Sequence, residues 1–230
     1  MLGAPNSVIQ GNPTLLNYDQ NYFALYASDK IRFGSRLSFN AGLRWEPYLP
    51  EIETQKRANH FDMASFVAGT KSQVYDNAPA GLTSPGDSGF PRAGTNGRWA
   101  NLGPRVGLVW DVDGNARTVV RAGYGVLYDL PAMQYFDRFG FGPPWASALT
   151  LNNPGGCFAD PYRDYSGGNP FPLPSPPPKN ALFVSAGQYI NLPLHLKPTY
   201  FQQWNLSIQQ QFGPDWLFSL NYIGNKGTHL

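Results

Sequence analysis

The chain has a single cysteine, Cys157, in 230 residues, which excludes an intramolecular disulfide framework and a thiolate-rich metal site. Charge is also scarce: Asp, Glu, Lys and Arg make up 14 %, well below the roughly 25 % of average soluble proteins. The net charge of +2 is too small to argue for a nucleic-acid partner. No apolar run approaches the roughly 18 residues of a transmembrane helix, although alternating barrel strands escape that test. His60, His195 and His229 lie far apart, with no carboxylate or cysteine at ligand spacing. No nucleophile, base or metal set is visible, so the sequence predicts neither an enzyme nor a bound cofactor.

Aromatic residues are abundant, with 13 Tyr, 15 Phe and 6 Trp, and the stretch Asn101 to Asp129 shows how they are used. Leu102, Pro104, Val106, Leu108 and Trp110 recur at every second position against Gly103, Arg105, Gly107, Val109 and Asp111. Val120, Ala122, Tyr124 and Val126 alternate in the same way with Val119, Arg121, Gly123, Gly125 and Leu127. A period of two places each set on one face of a strand. Between them, Asp113-Gly114-Asn115 predicts a very tight hairpin turn, since Gly and Asn tolerate positive φ. Arginines spaced regularly opposite an apolar stripe suit a membrane barrel, wet inside and lipid-covered outside. Gly123 and Gly125 do not form a phosphate loop, because a strand follows them rather than a helix.

The unit recurs. Strands are predicted over 21–32, 37–46, 101–112, 118–128, 200–212 and 216–223, with residues 1–20 read as a loop. The cleanest alternation sets Leu37, Phe39, Ala41, Leu43 and Trp45 against Ser38, Asn40, Gly42, Arg44 and Glu46. In the first strand both faces are fairly apolar, and Phe23, Leu25 and Ala27 are assigned to lipid. Short turns at Phe33-Gly34-Ser35 and Gly213-Pro214-Asp215 contrast with long loops over 47–98 and 130–199. The second loop includes the proline cluster Phe171 to Asn180, predicted to be extended polyproline-type chain rather than strand. Short turns on one side and long extracellular loops on the other is the asymmetry of outer-membrane barrels. Trp45, Trp110 and Trp216 fall at strand ends, where interfacial aromatic belts belong. The predicted fold is therefore all-β, an antiparallel up-and-down transmembrane β-barrel segment of about six strands. Since about eight strands are needed to close, an incomplete barrel is expected. Met1 opens no signal peptide and the sequence ends just after a strand, so a piece of a longer protein is expected.

Five phrases carry a resemblance: LSFNAGLRWEP from Leu37, NLGPRVGLVWDV from Asn101, TVVRAGYGVLYD from Thr118, QQWNLSIQQQF from Gln202 and NYIGNKGTHL from Asn221. Together they resemble the C-terminal barrel of TonB-dependent receptors, most closely the Oar-like, carboxypeptidase-regulatory-like subgroup. The resemblance implies a cell outer-membrane location, a 22-stranded barrel, an N-terminal plug, and coupling to the TonB system for energised uptake. The plug is absent from this sequence, so the plug and TonB enter as partners only through other parts of a full-length protein. Outer-membrane lipid and an unidentified extracellular ligand are the remaining expected partners. A passive barrel or surface adhesion protein without TonB coupling is the alternative, and a soluble β-sandwich binding module a more distant one.

Among candidate sites, Arg44, Arg105 and Arg121 fall on the predicted lumen face. They are read first as solvated residues pairing with plug carboxylates, and second as a basic surface for an anionic substrate. Asp160, Asp164 and Asn169 offer oxygens in a loop but lack EF-hand spacing and are read as solvated. Cys157, in a Pro/Gly-rich loop without a nearby His, is read as an incidental thiol. Tyr75, Phe90, Trp99, Tyr135, Phe136, Trp145, Tyr162 and Tyr165 are suited to stacking on a ligand or to packing the loops on themselves. No substrate-binding residue is assigned.

Overall fold

A computed structural model describes residues 3–12, 15–145, 148–184 and 189–230. The rest of the predicted leading loop (1–2, 13–14) and of the second long loop (146–147, 185–188) lies outside the described residues. In chain order the elements are β1 (Ser7–Gly11), β2 (Tyr18–Asp19), β3 (Leu25–Phe33), β4 (Leu37–Trp45), β5 (Ile52–Glu53), β6 (His60–Phe61), α1 (Met63–Val67), β7 (Leu82–Thr83), β8 (Leu102–Asp111), β9 (Thr118–Asp129), β10 (Ala148–Asn152), β11 (Thr199–Phe212) and β12 (Trp216–Thr228). They fall into two compact units, described in turn.

One unit, formed by residues 21–49, 97–131 and 197–230, is a six-stranded sheet in the order β12-β11-β9-β8-β4-β3. Every neighbouring pair is antiparallel, which is up-and-down topology. The predicted strands are all present, with their ends shifted. The first starts at Leu25 rather than Asn21, opposite Trp45 where β4 ends; before it, Tyr22 bonds through its hydroxyl to the Glu46 carboxylate and the Arg44 guanidinium. The last continues past Ile223 to Thr228, although its apolar alternation ends there. Pairing persists through Trp204↔Gly224 and Tyr200↔Thr228, and the Trp204 indole covers the space where a Gly224 side chain would stand.

The hairpin connection between β8 and β9 is also looser than predicted. It spans 112–117, with positive φ at Gly114 (75°) and Ala116 (60°) rather than at Asn115. The Asp111 carboxylate organises it, accepting from the backbone N–H groups of Gly114 and Ala116, both at 2.9 Å. The other two turns are short, with Gly34 and Gly213 each at φ 63°.

Register fixes the faces. Leu25↔Trp45 and Ala27↔Leu43 confirm the face assigned to β3, and the set continues through Leu43↔Pro104, Val106↔Tyr124 and Leu206↔Ala122. On this face Leu25, Leu43, Val106, Trp110, Leu206, Phe212, Trp216, Phe218 and Leu220 are all exposed. So broad an apolar band is untenable in water and suits lipid. Strands of 9 to 14 residues meet the roughly 9–11 residues needed to cross a tilted bilayer path. Two charges interrupt the band: Asp29 opposite Ala41, and Lys226 opposite Gln202.

The other unit, within 1–20, 50–96 and 132–196, corrects the reading of these stretches as plain loops. β1 pairs with β10 from Ser7↔Asn152 to Gly11↔Ala148, so the leading segment is not a loop. β2 pairs with β5, β6 pairs with β7, and Asp62 caps α1 through the N–H groups of Ala64 and Ser65. Polar side chains stitch the segments together where apolar patterning is weak. Asn59 Nδ2 donates to the Pro143 carbonyl (2.9 Å), Thr95 Oγ1 to that of Pro193 (2.8 Å) and Asn77 Nδ2 to that of Asn180 (2.8 Å). The Asp87 carboxylate accepts from Ser72 Oγ, Gln73 N and Ser84 N at 2.7–2.8 Å. Arg57 and Glu53 form a buried ion pair, and Arg57 also donates to the Leu15 carbonyl (2.7 Å). Phe171 to Asn180 holds no strand or helix, in line with the sequence expectation that it is not strand.

Candidate functional site

The polar face of the sheet is where the predicted arginines meet. A strand carries side chains to opposite faces, so direct cross-strand partners share a face. Four successive rows can be read across the sheet, starting from the end that carries the long connections. The first holds Tyr26, Arg44 and Gly103. The second runs Ser28, Gly42, Arg105, Gly125, Gln203, Asn225. The third runs Lys30, Asn40, Gly107, Gly123, Asn205, Ile223, and the fourth Arg32, Ser38, Val109, Arg121, Ser207, Asn221. Arg44, Arg105 and Arg121 therefore lie on one face, as the alternation predicted. Lys30 and Arg32 join them, which the mixed pattern of the first strand had hidden.

Their surroundings differ. Arg44 is neutralised: its Nε lies 2.6 Å from Glu46 Oε2 and its Nη2 donates to Tyr22 Oη at 3.0 Å. Arg121 donates to the side-chain carbonyl of Gln209. Lys30, Arg32 and Arg105 have no ion-pair partner among the described residues. Arg105 is exposed and has glycine directly opposite on both neighbouring strands, Gly42 and Gly125. Bare backbone beside it leaves a groove of about 560 Å³ towards Ser28, Lys30 and Asn40, and one of about 410 Å³ towards Gln203 and Asn205. Acidic residues on this face of the strands are confined to Asp111 and Asp129, at the strand ends.

The other candidates do not converge. His60 Nδ1 is 3.0 Å from the Leu192 carbonyl, His195 Nδ1 is 3.4 Å from Asn96 Nδ2, and the His229 ring lies against Tyr200. Asp160 pairs loosely with Arg163 at 3.8 Å and Asn169 accepts from Phe171 N–H. No group of three or more His, Cys, Asp or Glu side chains among the described residues is placed to hold a metal. Cys157 is a half-buried free thiol at positive φ (56°). The choice left open for the loop aromatics is partly decided: Tyr75 packs on Trp145 and Phe183, and Tyr162 on Tyr165.

The tryptophans at the strand ends form two belts, one at each end of the sheet. Trp45 stacks with Trp99 (6.2 Å) near Phe23 at the long-connection end, and its Nε1 donates to the Trp99 carbonyl. Trp110 and Trp216 mark the turn end, opposite Leu37 and Phe212. Two belts of this kind bracket a bilayer.

In the family comparison, the model described as an outer membrane beta barrel domain matches residues 1–230. Neither a curated protein nor a solved structure matches the chain.

Proposed function

Because this chain belongs to the outer-membrane β-barrel family and resides in the cell outer membrane, we propose that its sheet is barrel wall from a TonB-dependent receptor, a transporter for energised uptake. The observation that carries this reading is the sheet's two-sidedness combined with its connections. An exposed apolar band bounded by aromatic belts backs a polar, basic face, and every short turn lies at one end. The five phrases that resemble the receptor barrel fall on the paired strands in the required order. The folded unit built from 1–20, 50–96 and 132–196 supplies ordered surface for recognition, the usual task of barrel loops. Recognition and transport, not catalysis, is the activity proposed, with the plug and TonB system as partners.

The test is in-membrane cross-linking in the producing cell, followed by isolation of the outer membrane. A receptor is expected to cross-link to the inner-membrane energising protein. A passive barrel would give no such product, and a steady open conductance when purified into a planar bilayer.

A further inference from the structure

The polar face carries at least one cation in each of four consecutive rows: Arg44, then Arg105, then Lys30, then Arg32 with Arg121. Adjacent rows are two residues apart along a strand, roughly 7 Å. That is a short reach for one anionic group passing from cation to cation. No carboxylate shares the second, third or fourth row, and none among the described residues forms an ion pair with Lys30, Arg32 or Arg105. Arg105 is its most open member. Gly42 and Gly125 flank it across the strands and Gly103 and Gly107 along its own, so its guanidinium stands over bare backbone. The two grooves beside it add the Lys30 ammonium, the Ser28 hydroxyl and the amides of Asn40, Asn205 and Gln203. Asp29 borders the first groove but belongs to the opposite face by register.

We propose that these rows form an anion ladder, in which Arg105 is the principal subsite for a solute bearing a carboxylate or phosphate group. A guanidinium offers paired N–H donors that match either group, and an unpaired one does not first have to give up a protein partner. Arg44 at the long-connection end is held by Glu46 and Tyr22, so it offers little free positive charge and capture begins at Arg105. The charged rows then place Lys30 and Arg121 next in line. This inference rests on the lumen-wall reading and names the class of solute that wall accepts.

Binding is measured on outer-membrane vesicles carrying the protein, with radiolabelled citrate and inorganic phosphate as probes and glycerol as the neutral control. Saturable binding of at least one anion is expected, weakened by salt, with none for glycerol. Arg105→Gln should weaken it about tenfold or more, and Arg105→Lys, which keeps the charge but loses the paired donors, should fall between Arg105→Gln and the unaltered protein. Citrate held more tightly than phosphate assigns a carboxylate solute; the reverse assigns a phosphate ester. Unchanged binding in Arg105→Gln, or no saturable binding at all, overturns the ladder. A separate arm protects the distinction from the wall reading: with Cys157→Ser as background, Asn40→Cys and Leu43→Cys are treated with a charged maleimide. Labelling at Asn40→Cys alone upholds the wet face even where anion binding fails; labelling at Leu43→Cys alone removes the wall reading itself.

Discussion

Trp204 and Gly224 are direct cross-strand partners, and the indole of the first covers the backbone of the second. The pair lies on the lipid side of β11 and β12, where a second side chain would displace the ring. Gly224→Val should therefore destabilise this hairpin by about 1–3 kcal/mol, the usual cost of overpacking. Trp204→Ala combined with Gly224→Val should recover part of the loss. Gel mobility of unheated protein after urea titration reads both.

Neighbouring positions on β11 test the faces. Leu206 lies in the apolar band and Ser207 beside Arg121 on the polar face. Leu206→Arg should cost about 2–4 kcal/mol if near the bilayer midplane, while Ser207→Arg should cost little. Equal losses in a folding titration into lipid vesicles would contradict the register.

The buried pair Arg57–Glu53 is a vulnerable point of the second unit. Arg57→Ala leaves the Glu53 carboxylate without its counter-charge and should destabilise that unit by about 3–5 kcal/mol. Replacing both with apolar residues of similar volume should be far milder. Limited proteolysis of the connections gives the ranking.

Two carboxyls in this unit respond to acid in opposite ways. Burial pushes Glu51 above the usual carboxylate range, and its Oε2 has no hydrogen-bond partner. Burial also pushes Glu53 upward, but hydrogen bonds from Arg57 outweigh it and hold Glu53 below that range. For Glu51 the folded state keeps its proton longer, so stability falls as pH rises from the ordinary carboxylate value through the raised one. For Glu53 the contribution is present above the ordinary value and is lost as pH falls through the lowered one. Glu51→Gln should abolish the first slope and leave the second, as read by hydrogen exchange in the connections between about pH 2 and pH 7, an interval extending to both sides of ordinary carboxylate titration.

Much of the sheet was legible because each strand announces itself locally. The alternation from Leu37 to Trp45 needs only its own residues to be read, and the same holds for Leu102 to Trp110. What depends on two strands at once was not legible. That Arg105 falls between Gly42 and Gly125 follows from register, and a one-residue slip would have exchanged its face. The hairpin loop misled because the carboxylate of Asp111, a strand residue, holds a longer loop in which Ala116 rather than Asn115 takes the positive φ. The second unit was invisible for a different reason. Its order comes from side chains such as Asn59, Asn77 and Thr95 reaching distant carbonyls, and isolated polar residues in a Pro/Gly-rich stretch give no periodic signal. Lys30 and Arg32 escaped because both faces of their strand look alike at its start.

The pairing of Ser7 with Asn152 bears on the order in which the chain assembles. Hairpins such as β3–β4 close over a few residues, whereas β1 has no partner until β10 has been made. Loop closure over such a span is slow compared with a local turn. Among the described strand pairs, β1 and β10 are separated by the longest intervening stretch, so this pair closes late relative to the local hairpins.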